Sequence, residues 1–139
     1  MKNYNLGRKF EYEVQAFLRD KGYIVRRAYA SKGIFDLLAY KQETNEKLGI
    51  QVKSLSSYKN KSYLKPTELD TLVRYSTVPT IPYEFVSWSK KYNIPLLELL
   101  QDKFRVIHAY NMFPNIGWRY CIKGKWKHLY WSGSNIIYG

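Results

Sequence analysis

Phe10, Val14, Phe17 and Leu18 recur at i, i+4, i+7 and i+8, a single apolar stripe that commits the start of the chain to an amphipathic helix buried against something else. The spacing predicts a helix over residues 6–21. Gly22 stands where such a helix stops, because glycine accepts a left-handed backbone at little cost. The segments that follow are extended in character: residues 23–28, 35–41 and 49–54 read as strands, separated by the polar loop Ser31-Lys32-Gly33 and by a turn at Glu43-Thr44-Asn45-Glu46. A helix followed by three strands opens an α/β or α+β domain.

After Ser54 the chain is polar and dotted with lysines as far as Pro66, which suits the first turn of a helix carrying Leu69, Leu72 and Val73. Pro79 and Pro82 interrupt it, residues 83–92 return to helical spacing through Phe85, Trp88 and Tyr92, and 94–100 fits either strand or helix. Residues 104–111 read as a strand, and 118–131 as a hairpin turning on Lys123-Gly124-Lys125. No fixed period and no Gly/Ser-rich or Pro-rich linker divides the chain, so 1–139 reads as a single domain of 139 residues.

Composition removes several function classes. One cysteine and two histidines supply neither a disulfide framework nor a Cys/His zinc site. No apolar signal-peptide core follows Met1, and the longest apolar run, 94–100, contains Pro95 and Glu98, so a soluble, intracellular (cytoplasmic) protein with no membrane partner is expected. Twenty-three Lys and Arg against eleven Asp and Glu leave +12, with 14 Tyr and 4 Trp. A basic, aromatic-rich chain fits a polyanion, and the phosphate backbone is the usual one.

Asp36 is the residue that most needs a reason. It is an acid within Phe35-Asp36-Leu37-Leu38-Ala39, where an ionised carboxylate is costly unless paired or bound to a metal. On the next strand Ile50-Gln51-Val52-Lys53 alternates, so Gln51 and Lys53 share one face. A turn centred on Thr44-Asn45 places Lys53 opposite Asp36 and Gln51 opposite Leu38, so the three converge. Phosphodiester hydrolysis can use such a set: oxygen ligands suit a hard cation such as Mg²⁺, and a lysine can orient water or stabilise the charge that builds on phosphorus.

These residues resemble the PD-(D/E)xK nuclease signature, and more closely the archaeal Holliday-junction resolvases of that superfamily. The similarity runs through Gly7-Arg8-Lys9-Phe10-Glu11, Gly22-Tyr23-Ile24-Val25-Arg26-Arg27, Ser31 through Asp36-Leu37-Leu38-Ala39, Gln51-Val52-Lys53-Ser54 and Gly117-Trp118-Arg119-Tyr120. It implies an α/β, restriction-endonuclease-like (PD-(D/E)xK) fold with a mixed central β-sheet flanked by helices. The implied activity is a Mg²⁺-dependent endonuclease, with Mn²⁺ as a substitute, acting on four-way or other branched DNA as a homodimer. By that resemblance Glu11, Asp36, Gln51 and the Val52 carbonyl are metal ligands, and Glu11, Asp36, Gln51 and Lys53 form the catalytic set. Arg8, Lys9, Arg26, Arg27, Ser31, Lys32, Lys59, Lys61 and Lys65 are the implied DNA contacts.

One departure stands out, because the family's third-strand acid is replaced by Gln51, which removes a negative charge from the expected metal site. Type IV restriction endonucleases of the superfamily are similar in carrying Gln-x-Lys. Two further readings therefore stay open: a restriction- or repair-type nuclease on other DNA, and an inactive DNA-binding relative. Glu11 and the basic residues also have an ordinary alternative as solvated surface charges, and His108 and His128 as core or surface residues.

Overall fold

A computed structural model describes residues 2–28, 35–53, 70, 72–74, 104–112 and 114–139. The stripe read from the sequence does form α1 (Lys2–Asp20), and Phe10, Val14 and Leu18 are buried along it. Gly22, at φ 96°, ends the helix in a Schellman arrangement: Tyr23 N–H donates to Leu18 O at 3.1 Å and Gly22 N–H to Arg19 O at 3.0 Å. That closure turns the chain directly into β1 (Ile24–Arg27), followed by β2 (Leu37–Lys41) and β3 (Glu46–Lys53) as an antiparallel meander.

β4 (Phe104–Met112) then pairs with β3 in parallel, which requires a crossover between them. β5 (Asn115–Ile122), β6 (Lys125–Ser132) and β7 (Asn135–Tyr138) continue antiparallel, so seven strands lie side by side in chain order. The sheet is therefore mixed. One face carries Val25, Leu37, Ala39, Leu48, Ile50, Ile107, Ala109, Trp118, Tyr120 and Leu129 and packs with the α1 stripe in a single core. Phe17 adds ring contacts with Trp118 at 5.3 Å and Trp131 at 5.2 Å. The expected helix elements at 83–92, the ambiguous 94–100 and most of the 66–76 helix lie outside the described residues; residues 72–74 are helical, and Leu72 is buried.

The β2–β3 register corrects the sequence-based expectation. Lys41 pairs with Glu46 and Leu37 with Ile50, so the turn is the four residues 42–45, centred one position earlier than expected. Asn45 takes φ 61°, a left-handed conformation its short amide side chain tolerates, and this closes the loop there. Leu38 consequently faces Gly49 rather than Gln51. The slip is two residues, so every side chain keeps its face.

The second half brings another difference. The hairpin at Lys123 (φ 50°) and Gly124 (φ 78°) forms as expected, but β7 does not appear in the sequence reading. Its Tyr138 hydroxyl donates to Glu46 at 2.8 Å, and Tyr23 and Thr44 donate to the same carboxylate at 3.1 and 3.0 Å. Burial, then the Glu46 charge, raises both tyrosines above the ordinary phenol range. This knot closes the end of the sheet remote from the close of β3.

Candidate active site

Asp36 lies one residue before β2, at the point where the meander opens. Its N–H donates to Ile50 O at 2.8 Å, its carbonyl accepts from Ala28 N–H at 2.9 Å, and its carboxylate accepts from Val52 N–H at 2.8 Å. The carboxylate is thus pinned to the backbone between Gln51 and Lys53. Strand alternation turns those two side chains to the face away from the α1 stripe. Lys53 is not directly across from Asp36, as the expected register had it; the backbone of Val52 makes the link instead.

Gln51 is 5% exposed and its Oε1 has no hydrogen-bond partner among the described residues. Its register partner on β4 is His108, 1% exposed, whose Nδ1 accepts from Arg119 Nε at 2.9 Å. Arg119 in turn sits 4.4 Å above the Trp126 ring, and Tyr110, the register partner of Lys53, lies across Gly117, where any Cβ would collide with its ring. Lys53, Gln51, His108, Tyr110 and Arg119 therefore share one sheet face beside Asp36.

Electrostatics follow from that crowding. Burial, with Arg119 and Lys53 adding to it, pushes the His108 imidazole down from 6.5 to about 3, so it is neutral at physiological pH. The unfolded chain binds this proton below 6.5 and the folded chain does not until about 3. His108 therefore costs no stability above 6.5 and about 1.4 kcal/mol per pH unit as the pH falls toward 3. Urea denaturation at pH 7 and pH 5 checks this: His108→Gln loses about 2 kcal/mol less than the parent over that interval. An equal loss in both proteins would contradict a buried neutral imidazole.

Glu11 has a different environment. Arg27, on the helix side of β1, donates from Nε to its Oε1 at 2.6 Å. One expected metal ligand and one expected DNA contact are thus paired with each other. Arg8 and Lys9 are exposed on α1 and Arg26 is half-buried, while Ser31, Lys32, Lys59, Lys61 and Lys65 lie outside the described residues. Not every cation of the basic excess reaches the surface: Lys41 and Lys47 are buried, and Lys41 Nζ donates to Ser134 O at 2.6 Å. With an amide in the third-strand position, no three His, Cys, Asp or Glu side chains gather as a metal cluster among the described residues.

Sequence reasoning left His108 and Arg119 out of the site. The available signal was a polar ring within the apolar run Val106-Ile107-His108-Ala109, the same kind of anomaly that singled out Asp36.

The described residues thus form a mixed sheet with one helix packed on it and a carboxylate set against a Gln-x-Lys strand. The family model described as archaeal Holliday junction resolvase (Hjc) matches residues 2–101, and the chain belongs to that family. Its function is accordingly that of a Holliday junction resolvase, a nuclease whose substrate is branched DNA. β4 to β7 lie beyond the matched segment.

Among solved structures, the chain is similar to the 1.6 Å structure of Archaeoglobus fulgidus Hjc, a Holliday junction resolvase from an archaeal hyperthermophile. Identity is 17% over 78% of this chain and 72% of that one, at a TM-score of 0.44, a distance that supports no residue-by-residue comparison. None of the curated proteins is similar enough to count as a match. Among the described residues no helix is long and apolar enough to cross a membrane.

Proposed function

We propose that the chain resolves four-way junctions by Mg²⁺-assisted hydrolysis at the site formed by Asp36, Gln51 and Lys53. The observation that carries this reading is the bond from Val52 N–H to the Asp36 carboxylate at 2.8 Å, which seats an acid beside the Gln-x-Lys alternation. A buried amide oxygen at Gln51, without a partner among the described residues, adds a second hard donor to that carboxylate. Asp36, Gln51 and the Val52 carbonyl would hold the ion, whereas Glu11 is held by Arg27 on the helix side of the sheet. When bound, Mg²⁺ neutralises phosphate charge and makes water a better nucleophile at neutral pH, and Mn²⁺ has the chemistry to substitute.

The protein's own groups do the rest. The backbone bond to Val52 holds the Asp36 carboxylate in one orientation, so no reorganisation is needed as charge develops. The Lys53 ammonium, two residues beyond Gln51 on the same face, stabilises the extra negative charge on phosphorus and orients the attacking water. Exposed Arg8 and Lys9 hold phosphates without reading bases, as suits recognition of junction shape. A two-fold homodimer sets two such sites on the two strands to be cut, and the whole chain, 1–139, serves as one nuclease domain working on DNA inside the cell.

The test is cleavage of a synthetic four-way junction with Mg²⁺ or with EDTA, beside a linear duplex of the same arms. Junction-selective, Mg²⁺-dependent cutting supports the reading; equal cutting of the duplex favours a restriction- or repair-type nuclease, and binding without cutting an inactive relative. Sedimentation checks the homodimer, with a mass twice 16.6 kDa expected. Lys53→Ala lowers the single-turnover rate about 10²–10³-fold with little change in affinity. Gln51→Glu restores a negative charge and lowers the half-saturating Mg²⁺ concentration about tenfold, read from the cleavage rate against Mg²⁺. An unchanged Mg²⁺ requirement would remove Gln51 from the ion's surroundings.

A further inference from the structure

Two buried polar atoms without hydrogen-bond partners among the described residues belong to neighbouring side chains of this site, and their chemistry is complementary. Gln51 and His108 are register partners on β3 and β4, so their side chains leave the sheet on the same face at neighbouring positions. Gln51 Oε1 can only accept a hydrogen bond. Arg119 Nε donates to His108 Nδ1 at 2.9 Å, so Nδ1 carries a lone pair and the ring proton of the neutral imidazole is on Nε2. Nε2–H is therefore a donor, and it too is buried without a partner among the described residues. Buried polar groups are satisfied in nearly all native proteins, and one such donor beside one such acceptor calls for a small group able both to accept and to donate.

We propose that Gln51 Oε1 and His108 Nε2–H together seat the water that attacks the phosphodiester, with Arg119 as the positioning residue that fixes the imidazole tautomer. The inference rests on the hydrolytic reading given under Proposed function and assigns that reaction's nucleophile a seat on β3 and β4. The water accepts from His108 and donates to Gln51, which fixes its orientation next to Asp36 and Lys53. As it attacks, a bond forms between its oxygen and phosphorus while a bridging phosphorus–oxygen bond breaks. The water loses one proton to solvent, and the departing alkoxide takes one from solvent. His108 keeps its Nε2 proton throughout, so it binds the nucleophile without acting as a base or as a metal ligand through that nitrogen. The same arrangement gives an amide work in the third-strand position: one lone pair of its oxygen accepts a hydrogen bond from the water while the other remains for the ion.

The test compares the full-length parent with His108→Leu, which removes the donor, and His108→Gln, whose amide N–H reaches close to the same point. Single-turnover cleavage of a four-way junction at saturating Mg²⁺ is measured beside junction affinity in EDTA and thermal melting. His108→Leu is expected to cut about 10²-fold more slowly with affinity within twofold, and His108→Gln to recover to within tenfold of the parent. Parent-like cutting by His108→Leu, equal losses in both variants, or parallel losses of rate and affinity would overturn the proposal. NMR of the ¹⁵N-histidine parent gives a readout that no variant's folding can confuse: the Nε2–H tautomer with magnetisation transfer from a bound water is expected, and an Nε2–H with no water contact would overturn it. Asp36→Asn separates the two levels. If it is inactive while His108→Leu cuts like the parent, only this inference fails; if it also cuts like the parent, the hydrolytic reading itself fails.

Discussion

Asp36→Asn is expected to reduce junction cleavage by at least about 10³-fold, roughly 4 kcal/mol of transition-state stabilisation, while junction affinity stays within threefold of the parent. The substitution keeps the size of the side chain, and an amide oxygen can still accept the bond from Val52 N–H that the carboxylate takes at 2.8 Å. Local structure therefore survives, and what disappears is one negative charge at the acid that β3's Gln-x-Lys segment holds through Val52 N–H. Losing that charge beside a polyanion does not weaken binding; any electrostatic change is toward tighter association. Gel shift in EDTA and single-turnover cleavage in Mg²⁺ measure the two quantities separately. A variant that cuts within tenfold of the parent would remove Asp36 from the chemistry.

Gly49→Val is the substitution expected to damage fold and site together. A Cβ at Gly49 falls 2.7, 2.8 and 2.9 Å from three ring carbons of Phe35, and Phe35 is buried, so its ring has nowhere to retreat. Overpacking of this kind costs about 1–3 kcal/mol. The strain reaches the site because Phe35 immediately precedes Asp36, whose N–H bonds to Ile50 O, the residue after Gly49. Urea denaturation should show the lost stability, and cleavage should fall more than tenfold at temperatures where the variant is still folded. Parent-like values for both would contradict the packing of Phe35 across β3.

Parts of this architecture are legible in the sequence because they depend on local rules. The α1 stripe and its stop at Gly22 follow from helical spacing and from one residue's tolerance of positive φ. The shared face of Gln51 and Lys53 follows from strand alternation alone, and it survives the register error because the slip is even. The register itself was hidden, since it depends on which of Thr44, Asn45 and their neighbours takes the left-handed position, and Asn45 does. β7 was hidden because four residues, Asn135–Tyr138, are too few for a pattern, and its place is set by Tyr138 reaching Glu46 from 92 positions away. Lys41, whose ammonium meets Ser134 O, owes its burial to the same distant segment. His108 and Arg119 entered the site only through the β3–β4–β5 pairing, which no local rule supplies.

The replacement of an acid by Gln51 now has a structural setting. A carboxylate at this position would lie next to a buried imidazole donor and the half-buried Arg119 guanidinium on β5; an amide removes the charge and leaves the hydrogen-bonding geometry. The proposed site rests on the Asp36 carboxylate, pinned by Val52 N–H, while Glu11 is paired with Arg27. That arrangement makes the Asp36 charge the most sensitive point of the molecule.

The most direct measurement is single-turnover cleavage of a four-way junction by the parent chain in Mg²⁺, in EDTA, and after Mg²⁺ is added back to the EDTA-treated sample. Cutting that is lost in EDTA, regained with Mg²⁺ and confined to the junction rather than its linear arms is the predicted result. A junction bound but left intact by the parent in Mg²⁺, or cut equally well in EDTA, would contradict it.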